Sequence, residues 1–120
     1  MKSITDIRRE MDGARKELAD ALGVLVNSRA SDEAIKAAER RESRCLRALS
    51  TLKQELDLVS HFSEEALREH LRRAEDVRDR LMASAACFSE DPKVQAAYFT
   101  QRGGARYKAQ IKILNRILKD

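Results

Sequence analysis

Apolar residues recur every three or four positions through most of the chain, with charged residues between them. Over a long stretch, this spacing places the apolar side chains on one stripe of an α-helix. The stripe of the first stretch consists of Ile4, Ile7, Met11, Ala14, Leu18, Ala21 and Leu25. We therefore predict a first helix over about 3–27, or one that ends near Leu22 if Gly23 is its C-terminal cap.

The next two stretches begin alike, because Ser31 and Ser63 each precede two acidic residues. Serine is a strong N-cap, and acidic side chains suit the positive end of the helix dipole. The second stripe consists of Ile35, Ala38, Glu42, Cys45, Leu49, Leu52, Leu56 and Val59. The third consists of Leu67, His70, Ala74, Val77, Leu81, Ser84 and Phe88, with Leu71 and Ala85 beside it. These patterns predict helices over 31–59 and from 63 to a break at 89–92.

Two shorter helices are predicted after this break. A residue before proline avoids the helical region, and proline suits the first turn of a helix, so a fourth helix should run over 92–101. Gly103 and Gly104 then interrupt the chain. A fifth helix over 105–118 presents an apolar face of Ile111, Leu114 and Leu118, flanked by Tyr107, Ile113 and Ile117.

These five segments predict an all-α protein, an antiparallel helical bundle with three long helices and two shorter C-terminal ones. The stripe spacing is close to the repeat of about 3.5 residues that is typical of coiled coils. The long stripes are rich in alanine and poor in aromatic residues, so they would bury little surface in a monomer. We therefore expect a homo-oligomer, most simply a dimer. The alternative is a monomer whose C-terminal helices fold back onto the body.

The composition narrows the class of protein further. A chain of 120 residues suits a single domain, and one proline with four glycines is too few for the turns of a sheet protein. The charged N-terminus does not resemble a signal peptide, and no apolar stretch is long enough to span a bilayer. We expect a cytoplasmic protein, with Cys45 and Cys87 as buried thiols.

The residues that usually carry chemistry form no recognisable site. Neither cysteine has cationic neighbours in sequence that would lower its thiol pKa. His61 and His70 do not form a metal-binding pair, and we expect His70 to be partly buried on the third stripe. The glycine pair lacks the flanking motif of a phosphate-binding loop. We therefore expect no enzymatic activity, no cofactor and no metal ion.

The positive charge is distributed unevenly. Residues 1–91 contain 17 Lys or Arg and 19 Asp or Glu, whereas residues 92–120 contain seven Lys or Arg and one Asp. Three of the five aromatic residues also lie in this last segment. We divide the single domain accordingly into a nearly neutral coiled-coil-like body, 1–91, and a basic C-terminal segment, 92–120.

Two functions fit this distribution. The first is an interaction module (an adaptor, assembly factor or inhibitor) that binds a partner protein through its helix surfaces and the basic segment. The alternative is a small DNA- or RNA-binding protein, dimeric through the body, whose C-terminal helix contacts phosphates. A basic helix that only caps the bundle is also compatible. The candidate contact residues are Tyr98, Phe99, Arg102, Arg106, Tyr107, Lys108, Lys112 and Arg116, since tyrosine and arginine dominate interface hot spots.

The arginines of the body have a simpler interpretation. The second helix carries Arg40, Arg41, Arg44 and Arg47, and the third carries Arg68, Arg72, Arg73, Arg78 and Arg80. Acidic residues are interspersed with both groups at helical spacing. We therefore expect solvated helix faces in which these arginines form local ion pairs.

Overall fold

The computed structural model describes residues 1–119, and within them the only regular elements are five α-helices. The helices are α1 (Ile4–Leu25), α2 (Asp32–His61), α3 (Glu64–Phe88), α4 (Pro92–Gln101) and α5 (Gly104–Leu118). The predicted all-α class, with three long helices followed by two shorter ones, is confirmed.

Short polar side chains begin the first four helices, as the serine and aspartate positions indicate. The residues are Ser3, Ser31, Ser63 and Asp91. Each serine Oγ accepts a hydrogen bond from the backbone N–H three positions later, at 3.1, 3.2 and 3.1 Å in chain order. The carboxylate of Asp91 accepts one from the N–H of Lys93 at 3.0 Å, and Pro92 occupies the first turn. These bonds satisfy N–H groups that no helical carbonyl can reach.

The first helix continues through Gly23 and ends at Leu25, so the predicted end near Leu22 is wrong. The N–H of Val26 closes the last turn by donating to the carbonyl of Leu22 at 3.1 Å. The connection to α2 then turns at Asn27, whose side-chain oxygen accepts a hydrogen bond from the N–H of Arg29 at 3.0 Å. Asparagine favours such turns because its side chain can hydrogen-bond the backbone two residues on.

The described chain divides into two compact units, and the first extends from Lys2 to His61. It is an antiparallel hairpin of α1 and α2. The start of α1 packs on the end of α2, where Ile7, Met11 and Leu52 form a buried cluster. The stripe predicted for α2 is confirmed at Ala38, Cys45 and Leu52, which are all buried.

A buried carboxylate lies beside this cluster. The side chain of Glu55 is 0% exposed, and Lys2 Nζ lies 3.3 Å from its Oε2 atom. Lys2 also forms an ion pair of 2.6 Å with Glu10. Burying a carboxylate is costly unless a cation or hydrogen-bond donors compensate it, so the Lys2 contact stabilises the hairpin where α1 begins.

The second unit contains α3, α4 and α5, which pack against one another. The predicted apolar face of α5 is confirmed, because Ile111, Leu114 and Leu118 are buried and Ile117 is buried with them. The two C-terminal helices thus fold back onto α3. The division between the compact units lies at His61 and Phe62, whereas the charge distribution placed a boundary at 91–92.

The buried stripe of α3 differs from the predicted one. Leu67, Ala74 and Ala85 are buried, and Leu71, Val77, Arg78 and Leu81 are half-buried. His70, Ser84 and Phe88 are exposed, so the predictions that they lie on the seam are wrong. Both stripes alternate steps of three and four from Leu67. They differ only in which step comes first, and the packing of α4 and α5 decides between them.

Candidate functional site

The structure separates two neighbouring aromatic residues that we predicted to bind a partner together. Phe99 on α4 is buried, and its ring packs against Gly104 at the start of α5. Gly103 precedes this contact in the left-handed conformation, with a φ of 83°, which favours glycine. Phe99 therefore joins α4 to α5 as a core residue, and little of its ring is left exposed for the partner contact that we predicted.

Tyr98 instead belongs to a surface stack of three side chains, which we call the aromatic stack: Phe88, Tyr98 and Arg102. The ring centroids of Phe88 and Tyr98 lie 4.8 Å apart at an interplanar angle of 31°. The guanidinium carbon of Arg102 lies 3.6 Å from the centroid of the Tyr98 ring. Phe88 is the last residue of α3, and it remains 64% exposed. The stack therefore presents one aromatic ring to solvent and holds a cation beside it.

A surface groove of about 450 Å³ adjoins the stack, lined by Ala83, Ser84 and Cys87 together with Phe88 and Tyr98. Cys87 is exposed here, so the prediction that it is buried is wrong, whereas the predicted burial of Cys45 is confirmed. The sequence pattern assigned Phe88 to the seam of α3 and so missed its place in the site. Its position at the last residue of the helix, before Ser89, was the available signal.

The remaining candidate residues lie on α5 in different settings. Lys112 and Arg116 share an exposed face of the helix with Lys108, whose Nζ lies 4.9 Å from the centroid of the Phe99 ring. Arg106 is exposed at another angle around the helix, and Tyr107 is half-buried. Residues 92–120 contain seven Lys or Arg and one Asp, so this segment repels cations and attracts anions.

Four of the five arginines of α3 form local ion pairs, as we predicted; Arg80 is the exception among the described residues. Arg68 pairs with Glu64 at 2.8 Å, and Arg72 and Arg73 both pair with Glu69, at 2.7 and 3.3 Å. The hydrogen bond from Arg72 lowers the pKa of Glu69 below its usual value of 4.5, and the same bond raises the pKa of Arg72. The positive charge of this helix is therefore largely neutralised by its own carboxylates.

The arginines of α2 behave differently, and the prediction that they form local ion pairs is wrong. Within residues 1–119, Arg40, Arg41, Arg44 and Arg47 form no ion pair. The Nε of Arg40 donates to the backbone carbonyl of Lys36 at 3.3 Å. Several of these side chains border a surface groove of about 950 Å³ along α2. The surface of α2 thus carries positive charge that the described structure does not compensate.

Over residues 1–119, neither histidine belongs to a group of side chains that could bind a metal ion. His61 ends α2, where its Nδ1 lies 2.8 Å from the carbonyl oxygen of Asp57, and His70 is exposed on α3. Among the described residues, no three His, Cys, Asp or Glu side chains are arranged to hold a metal ion. No helix in that part of the chain combines the length and apolar character needed to cross a membrane.

No protein-family model, curated protein or solved structure with which we compared the chain matches it. Its function is therefore inferred from three surfaces of the chain itself: the aromatic stack, the basic face of α5 and the arginines of α2.

Proposed function

We propose that this chain is a non-enzymatic protein–protein interaction module that binds its partner through the aromatic stack and the groove beside it. The observation that carries the proposal is the Phe88 ring, which is 64% exposed at the surface although it is stacked on Tyr98. A large aromatic side chain that is held in place yet open to solvent has apolar area left to bury against a partner.

The composition of the stack favours binding to protein. Aromatic residues and arginine are enriched at interface hot spots, where they fill desolvated pockets. The contacts of Tyr98 with Phe88 and Arg102 restrict all three side chains before a partner arrives. Less conformational entropy is then lost on binding, which strengthens affinity without adding a contact.

The charge around the stack favours an acidic partner. Arg102 belongs to the basic segment, 92–120, which has seven Lys or Arg and one Asp. Such a segment accelerates the approach of a negatively charged surface and disfavours basic competitors. The preferred partner segment would place an apolar side chain in the groove beside Cys87 and carboxylates near Arg102.

The same proposal includes association with a second copy of the chain, most simply as a dimer. Leu22, Val26 and Leu46 in the α1–α2 hairpin are exposed, and Val26 is 83% exposed. A dimer would cover such side chains. It would thereby bury apolar surface in addition to the small area that the alanine-rich stripes bury within one chain. Sedimentation velocity across a range of protein concentrations tests this part, and a monomer throughout would refute it.

The exposed thiol of Cys87 supports a cytoplasmic location. A free cysteine at the surface persists as a thiol where glutathione keeps the compartment reducing. Cell fractionation followed by detection of the chain would test this location directly.

Paired substitutions test the interaction itself. Phe88→Ala and Tyr98→Ala remove rings of the stack, whereas Phe62→Ala and Arg80→Ala remove an exposed ring and an exposed arginine elsewhere. Each variant is used as bait under crosslinking, and the recovered proteins are quantified by mass spectrometry. We expect proteins captured by the wild type and both controls to be lost by at least tenfold from the stack variants. Equal recovery by all four variants would refute the proposal.

The exposed cations of α5 favour a second candidate function, contact with DNA or RNA phosphates. Lys108, Lys112 and Arg116 lie on one exposed face of the helix. Phosphate binding should weaken steeply with salt because counterions are released, whereas the apolar contact of the stack should respond far less. The salt dependence of partner binding therefore separates the two functions.

A further inference from the structure

Four cations form a row along one side of α2, which we call the α2 basic row: Lys36, Arg40, Arg44 and Arg47. Their spacings of four, four and three residues keep them on one side of the helix. The row extends about 16 Å at about 1.5 Å per residue. All four side chains are exposed and border the same surface groove. The opposite side of α2 carries the buried residues Ala38, Cys45 and Leu52.

The charge of this row is not neutralised within the described structure. None of its four side chains forms an ion pair among residues 1–119, whereas α3 pairs Arg68, Arg72 and Arg73 with glutamates. The middle of α2, residues 34–54, contains six Lys or Arg and two Glu, while the other four acidic residues of the helix lie towards its two ends. Exposed like charges at helical spacing repel one another, which makes the row mildly destabilising unless an anion binds to it.

We propose that the α2 basic row binds the phosphate backbone of a double-stranded nucleic acid, without selecting a base sequence. Three of its four cations are arginines, whose planar guanidinium groups bind phosphate oxygens through two parallel hydrogen bonds. One strand of a duplex carries a phosphate about every 3.4 Å along its axis, so a length equal to that of the row contains about five phosphates, and the four cations can contact those that lie on the facing side. The inference is independent of the aromatic stack, which lies in the other compact unit.

The row is better suited to phosphates than to an acidic protein. Besides five cations, the groove is lined by Ala37, Glu39 and Ser43, so it has one carboxylate and no aromatic or large aliphatic side chain. Stable protein interfaces bury an apolar centre and deplete charge there. Phosphate binding needs no such centre, because counterion release supplies the affinity. Contacts to phosphates carry no direct sequence information, which predicts indifference to base sequence.

Three triple variants of the full-length chain test this site, each lowering the net charge by three. The first, Arg40→Gln with Arg44→Gln and Arg47→Gln, removes the arginines of the row. The two matched controls change Arg68, Arg72 and Arg73 on α3, or Lys108, Lys112 and Arg116 on α5, to Gln. Glutamine retains a helix propensity close to that of lysine and arginine, and circular dichroism verifies the helicity of each variant.

Binding is measured by fluorescence anisotropy with labelled DNA duplexes of about 20 base pairs and two unrelated sequences, at about 50 and 200 mM NaCl. We expect equal affinity for both sequences. The α2 variant should raise the Kd roughly tenfold or more at the lower salt concentration and reduce the salt slope by about three. The α3 variant should retain the wild-type slope and an affinity within about threefold of wild type, because its arginines are already paired.

Four outcomes would overturn the proposal. One is the absence of wild-type binding at the lower salt concentration, and another is an equal loss in the α2 and α3 variants, which would indicate a net-charge effect. A loss confined to the α5 variant would place the phosphate contacts on the C-terminal helix. Binding of poly-L-glutamate as tight as that of DNA would show that the row recognises carboxylates, as an acidic protein partner would require.

Discussion

The aromatic ring of Phe99 packs against Gly104 and fills the space that a side chain at position 104 would need. This contact closes the short connection between α4 and α5. It also gives the two adjacent glycines separate roles. Gly103 supplies the backbone conformation, with a φ of 83°, and Gly104 supplies the space for the ring. The contact is therefore a sensitive point of the C-terminal unit.

Gly104→Ala should destabilise the protein, since the added methyl group would overlap the Phe99 ring. Overpacking of this kind costs about 1–3 kcal/mol. The matched control is Gly13→Ala, because no heavy atom lies within 4 Å of the methyl position in α1. That change should stabilise the protein by about 0.5–1 kcal/mol, the difference in helix propensity. Urea denaturation measures both effects, and wild-type stability in Gly104→Ala would contradict the packing.

Lys2→Met should destabilise the α1–α2 hairpin, because it removes the cation 3.3 Å from the buried carboxylate of Glu55. Removing one partner of a buried polar contact costs about 1–3 kcal/mol. Glu10→Gln is the control, since Glu10 contacts the same lysine from the exposed surface, where an ion pair contributes about 0–1 kcal/mol. Thermal unfolding followed by circular dichroism compares them. Equal shifts in Tm would show that the contact with Glu55 has no special importance.

The two cysteines should differ in reactivity in the folded protein. Cys87 is exposed beside the aromatic stack, whereas Cys45 is buried between α1 and α2. N-ethylmaleimide should therefore modify Cys87 first and reach Cys45 only after unfolding, as peptide mapping by mass spectrometry would show. Cys87→Ser should abolish the fast reaction, and Cys45→Ser should leave it unchanged. Early modification of Cys45 would contradict its burial.

The ion pair between Glu69 and Arg72 should make a pH-dependent contribution to stability. The pKa of Glu69 is lowered in the folded state. The ion pair therefore stabilises the folded protein fully at pH values above the pKa of Glu69 in the unfolded chain, which is near the usual value of 4.5. This stabilisation is lost as the pH falls through the lowered pKa that Glu69 has in the folded protein. NMR titration of the Glu69 carboxyl carbon should show a midpoint below that of Glu69 in an Arg72→Gln variant. Identical midpoints would refute the assignment of Arg72 as the cause.

Only part of the candidate site could be predicted from the sequence. The pattern of cations and aromatic residues pointed to 92–119, and Tyr98 and Arg102 do meet there. The third member of the stack, Phe88, lies on another helix, and the periodic pattern placed it on the seam of α3. Phe99 was placed beside Tyr98 in the site, although its ring is buried against Gly104. Adjacent residues on a helix point in different directions, so Tyr98 and Phe99 need not be exposed on the same surface although they are neighbours in sequence.

The sequence by itself determined where α2, α3 and α4 begin, because those signals are local. Ser31, Ser63 and Asp91 cap helices through bonds to N–H groups two or three residues away, which any neighbouring structure leaves unchanged. Only the tertiary structure decided which of two overlapping stripes α3 buries, and which arginines meet a carboxylate. The first outcome depends on the helices that pack against α3, because a repeat of three and four residues is compatible with more than one packed face. The second depends on the side-chain geometry within each helix.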